Sequence, residues 1–393
     1  MEGSPSRPEP VMPSEWGLVG IYALTVLART MVITLIPVVA YAMLGTAQRV
    51  SELYFVASLF GIAASVALPW LLSRLGRSML LIGAAASGVG SAVALSTASG
   101  FGLAIGLVLH VLMVLTFENV MSLYVLQYVP RRTLSAFEPR RIFLAGASYA
   151  IGPWLGVSLA QSTGPWLPLA TSAACALLTP LLLMRLKPQG PTPSAHAASI
   201  APSWADLGRF WAQPRLRLAW LLAVARAAWW CMYLVYAPIF AISYGLGPSA
   251  GGVLVSLGST LLLLAPLWGR LARRLGTRNV LMSGYALCGL CTIAVAPLTT
   301  ISAYGAAAML LVAALAMSAI DGMGNVLFLR AVRPHQRMRM TPIFSTYRDV
   351  AQIVPAGLFA VLLLVLPLPV VFIASGVMTV VASGFTLYLS RRF

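Results

Sequence analysis

The sequence predicts an all-α membrane protein with twelve transmembrane helices in two pseudo-symmetric six-helix bundles, and three observations carry that reading. Of 393 residues, 60% are hydrophobic and 9% charged, whereas a soluble domain carries roughly 25% charged residues. The mean hydropathy is +0.89, and no water-soluble fold hides that much apolar surface. The apolar residues fall into runs near the ~20 needed to cross hydrocarbon, where a helix satisfies its own backbone. Finally, the two halves of the chain repeat each other.

The spans read along the chain as 16–43, 52–73, 78–97, 102–127, 142–161 and 165–185, then 217–243, 248–271, 279–298, 302–329, 343–366 and 368–390. Residues 1–15 form a polar tail rich in Pro and Ser. The run that Trp16 opens is longer than the roughly 7–15 apolar residues of a signal peptide, so the first helix is expected to be retained. Residues 186–214, containing PQGPTPSAHAASIAPS, read as a linker between bundles at 16–185 and 215–393.

A net charge of +17 would point to nucleic acid in a soluble protein. Here the basic residues sit in short runs between apolar stretches, which points to topology and anionic lipid and excludes nucleic acid as a partner. Arg74 and Arg77 flank loop 2/3, Arg131, Arg132, Arg140 and Arg141 fill loop 4/5, and Arg185, Lys187, Arg209, Arg215 and Arg217 surround the linker. Arg270, Arg273, Arg274 and Arg278 flank loop 8/9, Arg330, Arg333, Arg337 and Arg339 loop 10/11, and Arg7, Arg391 and Arg392 lie in the tails. That places 22 of 26 basic residues on one face and only Arg49 on the other. The asymmetry predicts cytoplasmic even-numbered loops and termini in a bacterial-type inner membrane. Cys175, Cys231, Cys288 and Cys291 lie within apolar spans and read as packing; the Cys288/Cys291 spacing lacks the further ligands a metal site needs.

LPWLLSRLGRSMLL (68–81) matches LWGRLARRLGTRNVLM (267–282) with Gly76 set on Gly276, an offset of 200. Asn119-Val120 is matched by Asn325-Val326, and Pro153 by Pro355. Duplication of six helices is a transporter architecture with the substrate site between the halves. On these residues the chain resembles the major facilitator superfamily over essentially its whole length. The family's loop 2/3 signature GxLADRxGRR meets PWLLSRLGRS (69–78), where Leu71, Arg74, Gly76 and Arg77 fit and Pro69 and Ser73 depart. The loop 8/9 copy keeps Gly269, Arg274 and Gly276. GASYAIGPWLG (146–156) is similar to the GPxxG core of the family's antiporters, with Gly152, Pro153 and Gly156 in register. The resemblance implies conformational roles for these positions, and Gly and Pro in span 5 suit close packing and bending.

Ionisable groups in hydrocarbon cost at least about 2.5–3.5 kcal/mol each, so they face a cavity or a partner. Arg29 lies in span 1, Glu118 in span 4, Arg226 in span 7 and Asp321 in span 10, the spans that line the central cavity in the resembled family. Their depths agree within a side chain's reach, which predicts contacts Arg29–Glu118 and Arg226–Asp321, or the crossed pairing. Glu118 and Asp321 are the candidates for proton coupling; Arg29, Arg226, Asn119, Asn325, Trp230 and Tyr233 are the candidates for substrate binding. Static pairs that only fix helix packing are the competing reading. Arg348 and Asp349 open span 11 near the cytoplasmic face, where a structural or gating role is expected, and His110 in span 4 is a weaker candidate.

The expected function is secondary active transport of a small organic solute by alternating access, coupled to protons, with efflux favoured by span 5. An anion or organic-phosphate exchanger or uptake carrier using Arg29 and Arg226 is the alternative, and a receptor or assembly factor on the same fold a second one. The expected partners are a small-molecule substrate, protons and the bilayer, for a monomer with no cofactor. The chain has no GxxxxGK[ST] loop for an ATP-driven pump and no nucleophile, metal cluster or polar carboxylate pair for an enzyme.

Overall fold

Apolar runs punctuated by Ser, Thr, Gly and Pro fold into long helices in the computed structural model, which describes residues 15–129, 133–186, 204–324, 326–333 and 336–389. In chain order these are α1 (Glu15–Ile33), α2 (Leu35–Leu44), α3 (Ala47–Ser96), α4 (Gly100–Tyr128), α5 (Leu134–Thr163) and α6 (Trp166–Arg185). There follow α7 (Trp204–Ala212), α8 (Pro214–Ser243), α9 (Pro248–Thr260), α10 (Ala265–Leu275), α11 (Thr277–Leu298) and α12 (Ala303–Asp321). The last are α13 (Val326–Ala331), α14 (Arg337–Ser345), α15 (Tyr347–Leu362) and α16 (Pro369–Phe385). Among the described residues no strand occurs.

Among the described residues, ten stretches of helix are long and apolar enough to cross a membrane. One of them, Ala47–Ser96, covers two expected spans, two helices that meet at a kink where Gly76 turns at φ 75° and ψ 171°. The eleventh expected span is divided: α14 ends at Ser345, and α15 is 16 residues long. The linker is not without structure, since its last third forms the amphipathic α7, held to the C-terminal half by Asp206 facing Arg339 at 3.9 Å and by Trp211 edge-on to Trp220. Arg7, Arg131, Arg132, Lys187, Arg391 and Arg392 lie outside the described residues.

The repeat is visible in the punctuation. Gly45 and Gly245 (φ 74° and 77°), and Gly76 and Gly276 (φ 75° and 86°), adopt left-handed conformations at the same offset of 200. A side chain there would be strained, so these turns account for glycine at each position. Ser99 caps α4 by accepting from the Gly102 amide, and Ser302 caps α12 by accepting from the Gly305 amide. The N-terminal half packs around Leu18, Leu81, Met113 and Phe117, with a second core around Met31 and Ile36; the C-terminal half packs around Trp229, Tyr285, Met317 and Phe372.

The halves meet along α5 with α9 and α3 with α15. Pro153 disturbs the backbone ladder of α5, and the Trp154 amide beside it donates to Ser256 Oγ of α9 at 2.9 Å. Nearer the arginine-poor ends, Ser51 hydrogen-bonds Tyr236 and Ser249 donates to Gln161. Within the N-terminal half, α5 lies so close to α1 that a Cβ on Gly152 would strike Thr30, and one on Gly156 would strike the backbone carbonyl of Met31. The two glycines of the GPxxG segment are thereby fixed by the approach of two backbones.

Gly156→Ala is expected to lower thermal stability by about 1–3 kcal/mol, since backbone rather than a flexible side chain stands in the way. Gly83→Ala, with nothing within 4 Å of its Cβ, serves as the control. Melting curves of the two purified variants compare them; equal melting points would show that α1 and α5 separate freely.

Candidate functional site

The four charges expected inside the membrane come together as two pairs, each within its own half. Arg29 Nη1 of α1 lies 3.5 Å from Glu118 Oε2 of α4, and Arg226 Nη1 of α8 lies 3.3 Å from Asp321 Oδ1 of α12. The crossed arrangement is not adopted. Counted from their serine caps, the two acids occupy the same place, each 19 residues on (118 − 99 and 321 − 302). That register sets Asn119 opposite Gly322, so the sequence match of Asn119 with Asn325 is not the structural one. The arginines are staggered: Arg29 stands 16 residues before Gly45 and Arg226 stands 19 before Gly245, a difference of about one turn.

The stagger gives the pairs different surroundings. Arg226 is 8% exposed and enters a break in the helix, where α12 stops at Asp321 and turns through Gly322 to Gly324 before α13. A Cβ on Gly324 would overlap Arg226 Nη1, so glycine there makes room for the guanidinium. Arg226 also faces Tyr347, with Nη2 3.5 Å from its hydroxyl, and Asp321 accepts a second bond from the Trp230 indole N–H. Both members of this pair thus have further partners on neighbouring helices.

Glu118 is held differently. Its second oxygen, Oε1, accepts from Arg348 Nη1 of α15 at 2.8 Å, so one carboxylate joins an arginine of its own half to an arginine of the other. Its side chain is 37% exposed, and that of Arg348 54%. Arg29 is under-supplied with acceptors: its Nε is buried without a hydrogen-bond partner, and its guanidinium lies 4.9 Å from the centre of the Tyr149 ring. Beside the Arg29–Glu118 pair a narrow recess, of about 10 Å³, is walled by Tyr22, Thr25, Val26, Val114 and Phe117. The sequence placed Arg348 at a gate; the partner it finds there, Glu118, is what span-by-span reading missed, because nothing in the sequence sets the distance between α4 and α15.

The other candidates divide. Trp230 reaches the site through Asp321. Tyr233 does not: it is fully buried, stacked on Trp229 with ring centres 5.1 Å apart, and its hydroxyl donates to the Leu254 carbonyl at 2.6 Å. It belongs to the wall of the C-terminal half rather than to a ligand surface. Asn119 is exposed and its amide donates to the Leu115 carbonyl at 2.8 Å, so it does not serve the acid beside it. Asn325 lies outside the described residues. Of the loop residues, Arg77 donates to Gln127 at the end of α4 and lies over the Tyr124 ring, while Arg74 and Arg274 are exposed. His110 is buried on α4, two turns before Glu118. Among the described residues no cluster of His, Cys, Asp and Glu suits a metal.

A family model described as Major Facilitator Superfamily matches residues 18–356. The fold is similar to that of a mutant of the nucleoside transporter NupG (15% identity, TM-score 0.73, covering 96% of this chain and 100% of that one). It is also similar to a bacterial homologue of the iron transporter ferroportin in an inward-facing state (14%, TM-score 0.70, 95% and 98%). A mutant of the peptide transporter POT in complex with sulfate is a further likeness (13%, TM-score 0.73, 97% and 95%). No curated protein matches the chain.

Gly324→Ala is expected to push the Arg226 guanidinium off Asp321. The collision itself is cheap, because the end of a flexible side chain gives way; the cost of about 1–3 kcal/mol comes from leaving the acid with the Trp230 bond alone. In an Arg226→Met background the same substitution should cost little. Thermal unfolding of the four proteins measures the coupling, and additive effects would place the guanidinium elsewhere.

Proposed function

The chain belongs to the major facilitator superfamily, and we propose that it is a secondary active transporter that moves a small organic solute by alternating access, coupled to protons at Glu118. The single observation that carries this reading is the sharing of Glu118 between Arg29 of one half and Arg348 of the other. Two six-helix bundles that rock against each other must make and break contacts at their seam. A half-exposed carboxylate between two arginines is a contact that a proton switches off: neutral, it no longer holds Arg348. The fully partnered Arg226–Asp321 pair suits a static role, tying α8 to the broken α12–α13 helix within its half.

The arrangement of charge supports an orientation with the arginine-rich loops and both termini in the cytoplasm of a cell with an inner membrane, and a monomer suffices for the proposed cycle. The seam contacts nearer the arginine-poor ends, Ser51 with Tyr236 and Gln161 with Ser249, support a conformation closed on that side. Gly76 and Gly276, with Arg74, Arg77 and Arg274 around them, are proposed to set the cytoplasmic turns on which the bundles move. The glycines of the GPxxG segment are accounted for by the α1–α5 contact, which bears on packing and not on direction.

A thiol at the seam tests the cycle. Val157 is 1% exposed and lies against Gly252 of α9, so in a background with the four native cysteines replaced by Ala, Val157→Cys is buried in the closed seam. Adding Glu118→Gln or Arg348→Ala removes the bond that favours this conformation, and alkylation of the thiol should quicken by at least about threefold, the equivalent of a modest ion pair. Unchanged labelling in both variants would mean that the bond does not govern the seam.

A further inference from the structure

The face of the C-terminal half that carries the end of the linker is short of acids. Between Trp204 and Arg217, and again between Val326 and Ser345, the sequence holds seven arginines and one acid, Asp206. The two segments lie together: α7 packs on α8 and on α14, and Phe328 of α13 stacks on Phe344 of α14 with ring centres 4.2 Å apart. A surplus of positive charge on this scale attracts anions.

Asp206 gives the surplus a shape. Its side chain is 7% exposed, and its Oδ1 lies 3.5 Å from Arg209 Nη1 of α7 and 3.9 Å from Arg339 Nη1 of α14. Two guanidinium groups from different helices thus converge on one oxygen, while each stays more than half exposed, at 61% and 62%. A guanidinium carries five N–H donors, and a shared carboxylate oxygen uses few of them. Held side by side by the acid beneath, the two groups present their remaining donors outward, where a phosphate group supplies both the oxygens and the negative charge they lack.

The level of the site is that of the bilayer surface. Gln213 alone stands between α7 and the membrane-length helix α8, so α7 lies at the boundary between water and hydrocarbon. Trp211 of α7 is 42% exposed and edge-on to Trp220 of α8, with ring centres 5.4 Å apart, and the Trp220 indole N–H donates to Thr346 Oγ1 at 3.1 Å. Tryptophan favours the headgroup region, a level at which lipid phosphate stands beside exposed arginines.

We propose that Arg209 and Arg339 form a binding site for the headgroup of one anionic phospholipid, in the leaflet that the arginine-rich loops face, with Asp206 as the positioning residue beneath it. The bound phosphate ties α7, the last part of the linker, to α14. Charge selects an anionic over a zwitterionic lipid, because the amine of a zwitterionic headgroup would add a positive charge to a face that already has a surplus. Such a site requires a chain that spans a bilayer and does not depend on the transport cycle proposed above.

Titration of the purified full-length protein, in neutral detergent, with phosphatidylglycerol or phosphatidylcholine tests the site by thermal shift. Phosphatidylglycerol is expected to raise the melting point well above phosphatidylcholine, and native mass spectrometry to retain one phosphatidylglycerol per molecule. In Arg209→Gln/Arg339→Gln the apparent affinity for phosphatidylglycerol should fall at least about tenfold, the rough worth of two arginines at a lipid surface. Arg339→Gln alone should weaken it about threefold or more and gives the same reading if the double exchange does not fold. Arg270→Gln/Arg273→Gln, which removes two exposed arginines of α10, should leave the affinity within about twofold. Asp206→Asn adds a positive charge to the face, yet should bind the lipid more weakly, because the two guanidinium groups lose the acid that holds them together. Equal stabilisation by the two lipids, equal losses in the α7–α14 and α10 exchanges, or tighter binding by Asp206→Asn would each overturn the assignment. So would displacement of the lipid by about 10 mM inorganic phosphate at constant ionic strength, which would make the site one for a soluble anion.

Discussion

A carboxylate with two claimants organises this protein. Ions inside a bilayer are tolerated only when paired or hydrated, and the chain sets Arg29, Arg226 and Arg348 beside Glu118, Asp321 and Asp349. Glu118 is shared between Arg29 of its own half and Arg348 of the other. The bond that results is the polar link between α4 and α15, and it stands on one side of a seam whose other end is held by Tyr236 on Ser51 and Ser249 on Gln161.

Duplication explains how the two acids came to match and why the two pairs differ. Ser99 and Ser302 start α4 and α12 alike, and the helices deliver Glu118 and Asp321 to the same depth. One turn of stagger between Arg29 and Arg226 then separates their fates. Arg226 reaches the place where α12 breaks, and Gly324 admits its guanidinium at the cost of helix continuity. Arg29 has no such notch. It rests against Tyr149 with a donor unused, which leaves the N-terminal pair open to exchange while the C-terminal pair is closed by Trp230 and Tyr347.

Most of this was legible where the signal is local. Apolar runs of membrane length, one-sided arginines and the glycine offset of 200 require no knowledge of how helices pack, and Gly76 and Gly276 do carry matching left-handed turns. The intramembrane charges were legible for the same reason: hydrocarbon makes each one conspicuous. What escaped was rotation about the helix axis. Tyr233 stands two turns from Arg226, yet its ring turns inward onto Trp229 and its hydroxyl is used by Leu254. Asn119 adjoins Glu118 in sequence and bonds its own helix instead. Arg348 was visible as a charge, but its partner depends on the approach of α15 to α4, which is a property of two bundles and of no single segment.

The packing around α1 decides which side of Glu118 gives way. Gly152 and Gly156 of α5 seat α1 backbone to backbone at Thr30 and Met31, the residues directly after Arg29, and Ser172 of α6 donates to the Ala28 carbonyl directly before it. Arg29 is therefore clamped from two helices of its own half, and displacing it means prising backbones apart, which close-packed interiors resist. Arg348 is held more loosely in the other half: its Nε donates to the Tyr347 hydroxyl, which also faces Arg226, and its side chain is half-exposed. In the proposed cycle, motion of one bundle on the other bears on the bond that crosses the seam, between Glu118 and the half-exposed Arg348. Of the two arginines that share Glu118, the clamped Arg29 is the harder to displace and the half-exposed Arg348 the easier.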